Sequence, residues 1–304
     1  MTPIKYKIIN YEEIREVVDL PVDKNNWVGR YLETRPNILD EIDIFCKNCR
    51  SQDNANFDLF EPSEDSPDVY VFSVYLELFF QTNMKNYIPY CIDHFSKKYP
   101  NNLVCFFWNH DQDFSIYNNI VSKYSNVRIL NYNTSNKTSN DIILPFWTIN
   151  TEPYNEPKEY NYALIATINH PCRESLLNSF TGKQYFLHDV NLKGKEYYKT
   201  ISKSVYNLCP RGHGLSSWRF FESFHLNTIP VLFTDKIVLP FTDVISYDDI
   251  SVQFKEEDAG NYNLICGVLH NKDTKKMLKD IEQVREMFTL GGVQTYLHQQ
   301  LTAG

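Results

Sequence analysis

The sequence predicts an α/β chain with two parallel-sheet domains. Short apolar runs of strand length alternate with helix-spaced apolar residues, a pattern typical of parallel strands joined by crossover helices. The alternation stops at residues 151–160, where two prolines and three glutamates indicate a connection, and then restarts. A chain of 304 residues with 42% hydrophobic residues is long and apolar enough to bury two cores.

The first half is predicted to form one domain, residues 68–155, preceded by an extension. Residues 1–67 show no clean alternation, and their last part is rich in Asp, Asn, Ser and Pro, so we expect an N-terminal extension that contributes to the first domain. A helix is predicted at 86–98, where apolar residues have helical spacing. The predicted strands are 69–72, 103–108, 127–130 and 142–144.

The second half is predicted to form another domain, residues 156–290, followed by a C-terminal tail at 291–304. Helices are expected at 217–226 and at 273–288, where Met277, Ile281 and Val284 have helical spacing. The predicted strands are 163–168, 184–187, 205–208 and 229–233.

Charge and hydropathy exclude two classes of partner. The formal net charge of −8 argues against nonspecific binding to nucleic acid, which needs a basic surface. No run approaches the ~20 apolar residues of a membrane span.

The first 20 residues mix charged with apolar side chains, unlike a signal peptide, and the seven cysteines are an odd number. A cytoplasmic location is therefore predicted.

The segment 209–222, CPRGHGLSSWRFFE, carries the most chemical information. It lies between a predicted strand and a predicted helix, and Gly212 lets backbone N–H groups approach a ligand closely. Ser216 and Ser217 are suited to cap the helix and to donate hydroxyl hydrogen bonds to phosphate oxygens. The turn therefore predicts a binding site for a diphosphate.

Charged residues surround this turn. Arg211 and Arg219 can each present two parallel donors to phosphate oxygens. Glu222, three residues after Arg219, can accept hydrogen bonds from the paired hydroxyls of a ribose. The alternative interpretation is a surface ion pair between Arg219 and Glu222, of the kind worth ~0.3 to 0.5 kcal/mol.

Residues 204–254 resemble the signature of exostosin-like glycosyltransferases. The matching motifs are S-x-x-x-L-C-P-R-G, S-x-R-x-x-E, I-P-V-x-x-x-D, L-P-F and I-S-V, in that order. Weaker likenesses precede them at 103–111, at 141–145 and at Arg173, which is similar to an arginine that opens the C-terminal unit. The resemblance implies a GT-B fold, two Rossmann-like domains facing a central cleft, with a nucleoside diphosphate held by the second domain.

The resemblance also implies an activity. It is inverting transfer of a sugar from a UDP-sugar donor to a hydroxyl of an oligosaccharide or glycoprotein acceptor. The family uses UDP-xylose, UDP-galactose, UDP-glucuronic acid and UDP-N-acetylglucosamine, and among these donors UDP-xylose is favoured here. The donor-site residues are then Arg173, Arg211, Gly212, Ser216, Ser217, Arg219 and Glu222. Where most family members have a Gly-Cys pair this chain has Asn227-Thr228. No membrane anchor is expected, as in similar proteins of large algal viruses. Glycosylation of a viral capsid protein in the host cytoplasm is expected on this resemblance.

The catalytic base is expected after a strand of the first domain. Asp111 matches the Asp of a His-Asp pair in the family, His110 precedes it, and Glu77 follows another predicted strand. Solvated turn residues are the alternative. Asp111 and Asp113 also spell a D-x-D, which metal-dependent GT-A transferases use to bind Mn²⁺. Because the arginines already supply positive charge, no metal is predicted.

A non-enzymatic function is the remaining alternative. A catalytically silent protein with the same fold would bind sugar nucleotides or glycans and support another transferase. Intact Arg219 and Glu222 favour the enzyme.

Overall fold

The computed structural model describes residues 1–9, 11–18, 59–72, 76, 79, 84–108, 113–132, 134–146 and 154–303. The chain divides into two compact units. The first combines Met1–Leu144 with Leu290–Gly304, and the second is Pro145–Thr289. Each unit is built around one parallel sheet.

The first sheet has six strands in the order β2-β1-β3-β4-β5-β6, and every pair is parallel. The strands are β1 Ile4–Ile9, β2 Phe60–Pro62, β3 Val69–Phe72, β4 Leu103–Trp108, β5 Val127–Asn131 and β6 Asp141–Ile143. The last four agree with the predicted strands to within one residue at each end. Strands β1 and β2 lie in the predicted extension, and the sequence analysis missed them.

Helices complete the first unit. They are α1 Tyr11–Arg15, α2 Ile88–Lys98, α3 Asn118–Val121 and α10 Leu290–Thr302. The apolar face of α2 packs into a core with Phe72 and Phe106. The residues predicted to be a C-terminal tail form helix α10 instead, and eight residues of this helix, Leu297 among them, are buried. The His298 ring nitrogen Nε2 lies 2.8 Å from the carbonyl oxygen of Thr2.

The second sheet has five parallel strands in the order β11-β10-β9-β7-β8. The strands are β7 Tyr160–Leu164, β8 Phe186–His188, β9 Ser204–Pro210, β10 Ile229–Phe233 and β11 Val252–Phe254. The helices are α4 Pro171–Phe180, α5 Gly194–Ser202, α6 Trp218–Glu222, α7 Tyr247–Ile250, α8 Tyr262–His270 and α9 Thr274–Val284. The prediction of an α/β chain with two Rossmann-like parallel sheets, as a GT-B fold has, is confirmed.

The strand order reverses between β7 and β9. From β7 the chain adds β8 on one side of the sheet, then crosses to add β9, β10 and β11 on the other. In open parallel sheets, loops diverge at such a switch point and leave a crevice at the carboxyl ends of the strands, where ligands bind. The second unit therefore offers a binding position beyond the ends of β7 and β9.

Two of the predicted helices end as short 3₁₀ turns in the structure. The helix predicted at 217–226 is α6 followed by the 3₁₀ turn Ser223–His225, and the one predicted at 273–288 is α9 followed by Arg285–Phe288. Phe224 and Phe288, one from each turn, stack with ring centroids 4.3 Å apart. Among the described residues, no helix combines the length and the apolar character needed to cross a membrane.

Candidate functional site

The segment predicted to hold a diphosphate lies at the carboxyl edge of the second sheet. It leaves β9, and the backbone N–H of Arg211 donates to the carbonyl oxygen of Phe233 at the end of β10, 3.2 Å away. Ser217 then takes the N-cap position of α6 with an extended backbone, φ −140° and ψ 130°. The predicted order of strand, turn and helix is therefore present. Helix α6 has only five residues, so its dipole supplies little of the positive charge expected there.

Arg219 lies at the switch point. Its Nε donates a hydrogen bond to the carbonyl oxygen of Ile165, the residue that follows β7. Within the described part of the chain, no acceptor contacts the two terminal nitrogens of this guanidinium. The side chain is thus held through Nε, and its two terminal nitrogens can still donate together to the oxygens of a phosphate.

Arg173, near the start of α4, connects the segments that follow strands β7 and β9. Its Nε donates to the carbonyl oxygen of Arg211 at 3.0 Å, and its Nη1 donates to the carbonyl oxygen of Thr167 and to Oδ1 of Asn169, both at 2.9 Å. Burial, and then the nearby charge of Arg219, lower the pKa of Arg173. Two guanidinium groups therefore repel each other at the carboxyl ends of β7 and β9, an arrangement that a bound anion would relieve.

Gly212 allows Arg173 to take this position. A Cβ atom at residue 212 would lie 2.7 Å from Nη2 of Arg173, closer than any van der Waals contact allows. The glycine therefore leaves room for the guanidinium of Arg173, which would have to shift if a larger residue stood there.

Arg211 has a different partner. Its Nη1 lies 3.1 Å from Oε1 of Glu256, and its Nη2 donates to the carbonyl oxygen of His213 at 2.9 Å. Both side chains of the ion pair are mostly buried, at 19% and 22% exposure. The charge of Arg211 is thus balanced inside the protein, whereas Arg219 faces another arginine, so Arg219 is the stronger candidate for phosphate.

Glu222 is held by a residue that the sequence analysis missed. The hydroxyl of Tyr197, on α5, donates to Oε2 of Glu222 at 2.7 Å. Burial raises the pKa of Glu222, while the Tyr197 hydrogen bond and the Arg219 charge oppose that effect. Among the described residues no ion pair joins Arg219 to Glu222 within 4.0 Å, so the alternative of a surface ion pair is not formed. Tyr197 is 25 residues from Glu222 in the chain, and no local signal identifies it.

Ser216 and Ser217 are both buried, at 8% and 4% exposure. The expected capping hydrogen bond from Ser217 is not formed. The backbone N–H of Phe220, which a capping hydroxyl would bind, donates instead to the carbonyl oxygen of Ser217 at 3.1 Å. Oγ of Ser217 is buried without a hydrogen-bond partner in the described part of the structure. Such an atom is costly to bury unless a ligand or water satisfies it.

The three candidates for the catalytic base, Glu77, His110 and Asp111, lie outside the described residues. Asp113 is described, and its carboxylate accepts hydrogen bonds from the backbone N–H groups of Ser115 and Ser135, both at 3.1 Å, and from the Ser135 hydroxyl. Burial raises the pKa of Asp113, but these hydrogen bonds outweigh it and lower the pKa. The second Asp of the D-x-D sequence is therefore engaged by Ser115 of its own loop and by Ser135 of the segment between β5 and β6. No group of three His, Cys, Asp or Glu side chains suited to a metal ion occurs among the residues described above.

A family model described as the exostosin GT47 domain matches residues 92–266, more than half of the chain. The chain belongs to the exostosin GT47 family. The matched region contains the whole turn from β9 to α6, together with Arg173 and Tyr197. The resemblance read from the sequence is confirmed at the level of the family, and the likeness to viral members stays a prediction.

Two of the similar proteins are probable glucuronosyltransferases of rice. A probable glucuronosyltransferase of rice, Oryza sativa subsp. japonica, is 37% identical over 106 residues, which cover 34% of this chain and 23% of the relative. The probable glucuronosyltransferase GUT1 of the same organism is 30% identical over 130 residues, covering 42% and 29%. The chain thus matches less than a third of the length of these relatives.

Solved structures add a distant likeness. The pneumococcal O-GlcNAc transferase GtfA, crystallised in complex with UDP and GlcNAc, matches with a TM-score of 0.44 at 10% sequence identity. That match covers 77% of this chain and 56% of the other.

Proposed function

We propose that this exostosin GT47 chain is an inverting glycosyltransferase that transfers a sugar from a UDP-sugar to a hydroxyl of a glycan acceptor. The observation that carries the proposal is the position of Arg219 at the switch point of the second sheet. Its Nε is fixed on the carbonyl of Ile165, and its remaining donors have no partner among the described residues. Family membership and the glycosyltransferase names of the relatives support the same activity.

The donor diphosphate would be bound by Arg219 and the hydroxyl of Ser217. The paired N–H donors of a guanidinium match two phosphate oxygens, and the Ser217 hydroxyl is a buried donor that a phosphate oxygen would satisfy. The carboxylate of Glu222 would accept hydrogen bonds from the ribose hydroxyls. Arg173 is assigned mainly to holding the turn, because three of its N–H donors already bind protein acceptors.

The chemical step is a single displacement. The acceptor oxygen forms a bond to the anomeric carbon while the bond from that carbon to the diphosphate breaks, and the negative charge leaves on UDP. A base takes the proton of the acceptor hydroxyl. We assign this role to Asp111, with His110 and Glu77 as the other candidates. The arginine charge at the ends of β7 and β9 stabilises the leaving group, and no metal is needed in this proposal.

Slow release of UDP from UDP-sugars tests the activity. An enzyme releases UDP at a rate that a suitable glycan acceptor increases. Binding of UDP-sugars with no release in the presence of any acceptor would support a silent binding partner. Excess EDTA is expected to leave release unchanged, and activity restored only by Mn²⁺ would instead support the GT-A alternative.

The sugar and the acceptor are further parts of the proposal. We propose UDP-xylose as donor, and a panel with UDP-galactose, UDP-glucuronic acid and UDP-N-acetylglucosamine tests this choice. The true donor raises the melting temperature at the lowest concentration, since stabilisation follows binding by mass action. A glycoprotein acceptor, such as a viral capsid protein, and a cytoplasmic location belong to the same proposal. The seven cysteines are an odd number and cannot all pair in disulfides, which supports a reducing compartment such as the cytoplasm.

A further inference from the structure

Glu222 is fixed from outside its own helix. It is the last residue of α6, and the only described side chain that donates to its carboxylate is Tyr197, from α5. The ring of Tyr197 packs against a small apolar cluster of Ile165, Ile201 and Leu226. Ile165 is also the residue whose carbonyl oxygen binds Arg219. One packing cluster therefore supports both of the side chains assigned to the donor nucleotide.

We propose that Tyr197 is the positioning residue for nucleotide recognition: its hydroxyl holds Oε2 of Glu222 so that Oε1 is presented to the ribose hydroxyls of the donor. This inference rests on the proposed function. A glutamate has several rotatable bonds, and fixing them on binding costs up to ~2 kcal/mol of side-chain entropy. The hydrogen bond from Tyr197 fixes the carboxylate before the nucleotide arrives, so less of that entropy is lost on binding.

The hydrogen bond also favours the charged form of the carboxylate. The titratable and charged groups that face Glu222 among the described residues are Tyr197 and Tyr198 on α5, Arg219 on α6 and the thiol of Cys209 on β9. Burial raises the pKa of Tyr197 well above its ordinary value and that of Cys209 to about 12, so both stay neutral near pH 7. Tyr197 is thus a hydrogen-bond donor throughout the working range. Without it, the pKa of Glu222 would rise further.

The test compares the affinities of UDP and 2′,3′-dideoxy-UDP for the full chain by calorimetry. Tyr197→Phe keeps the ring in its cluster and removes only the hydroxyl. We expect UDP to bind roughly tenfold more weakly to this variant, since a hydrogen bond to a charged group is lost. The affinity for 2′,3′-dideoxy-UDP should not change, because that nucleotide offers no hydroxyls to Glu222. The pH below which UDP affinity falls should move upward.

Matched variants separate this inference from the proposed function. Tyr198→Phe removes a hydroxyl from the next residue of the same helix, which faces Glu222 but donates no hydrogen bond to it in the described structure, and should change neither affinity. Glu222→Gln should weaken UDP alone, and Tyr197→Phe should have no further effect in that background. If Glu222→Gln binds UDP normally, the ribose contact itself is wrong. If Glu222→Gln weakens UDP but Tyr197→Phe binds it normally, or weakens both nucleotides equally, Tyr197 has no positioning role.

Discussion

The guanidinium Nε of Arg219 donates to the carbonyl oxygen of Ile165, the first residue beyond β7. This bond fixes the arginine at the point where the strand order of the second sheet reverses. Its two terminal nitrogens have no acceptor among the described residues, and its charge lies near that of Arg173.

The first prediction concerns Arg219. Arg219→Ala is expected to weaken UDP binding roughly 100-fold, because a paired, charge-assisted contact to phosphate is lost. Arg219→Lys should recover only part of the affinity, since an ammonium group cannot form the paired contact. Calorimetry with UDP measures both, and Arg128→Ala in the first unit is the control. A folded Arg219→Ala protein with unchanged UDP affinity would refute the donor site.

The second prediction concerns Ser217. A serine that caps a helix stabilises it by ~1 kcal/mol, but the hydroxyl of Ser217 makes no capping bond. Ser217→Ala is therefore expected to leave the free energy of unfolding unchanged or slightly higher, and to weaken UDP binding several-fold. Urea unfolding measures the free energy of unfolding and titration with UDP measures the affinity, and the two values together distinguish a capping role of Ser217 from a ligand-binding role. A loss of stability with normal UDP affinity would indicate an ordinary capping residue.

The third prediction concerns Gly212. Gly212→Ala would place a methyl group 2.7 Å from Nη2 of Arg173, so the guanidinium must move and its bonds to the ends of β7 and β9 weaken. We expect a loss of ~1 to 3 kcal/mol in the free energy of unfolding and weaker UDP binding. Gly260→Ala is the matched control, because a Cβ there meets no heavy atom within 4 Å. Equal behaviour of the two variants would contradict the proposed close approach.

The sequence patterns predicted the positions of the strands more accurately than they predicted the side-chain contacts of the site residues. Apolar runs such as 103–108 and 229–233 gave strands at those bounds, because a parallel strand buried on both faces needs a continuous apolar run. Strand β1 alternates apolar residues with Lys5 and Lys7 over a few positions only. Because residues 1–67 show no clean alternation as a whole, the sequence predicts an extension there and misses this strand.

The partners of the site residues had no such signal. The turn of residues 209–222 was predicted in its correct place between a strand and a helix. Glu256 beside Arg211 and Tyr197 beside Glu222 come from segments 45 and 25 residues away. Those contacts depend on how helices pack on the sheet, which local spacing does not encode. The alternative of an Arg219–Glu222 ion pair was wrong for the same reason.

The fourth prediction concerns pH and His225. This side chain is 2% exposed, and burial lowers its pKa to about 4. Its unfolded pKa is ~6.5, so the unfolded chain binds more protons between these values and stability falls as the pH drops from ~6.5 towards 4. The full effect is ~3 kcal/mol.

A comparison of variants isolates that effect. His225→Gln should unfold in urea with a weaker pH dependence between pH 6.5 and 4 than the unmodified protein. His270→Gln changes an exposed histidine at the end of α8 and serves as the control. Identical pH profiles for the unmodified protein and His225→Gln would show that this histidine does not contribute.

The fifth prediction concerns the base. Asp111→Asn is expected to reduce sugar transfer by ~10²- to 10⁴-fold while UDP affinity stays the same, because the base acts on the acceptor. Asp113→Asn should lower the melting temperature, since Asp113 caps the 3₁₀ turn Phe114–Tyr117, but leave transfer by the folded protein intact. Loss of a Mn²⁺-dependent activity in both variants would favour the D-x-D alternative.

Because helix α10 belongs to the first unit, the two units differ in whether their residues are continuous along the sequence. Pro145–Thr289 is one uninterrupted stretch, while its companion is assembled from Met1–Leu144 and Leu290–Gly304. In topological terms the second unit is an insertion within the first. A chain that ended near residue 290 would therefore retain the whole second unit but would lack helix α10 of the first unit.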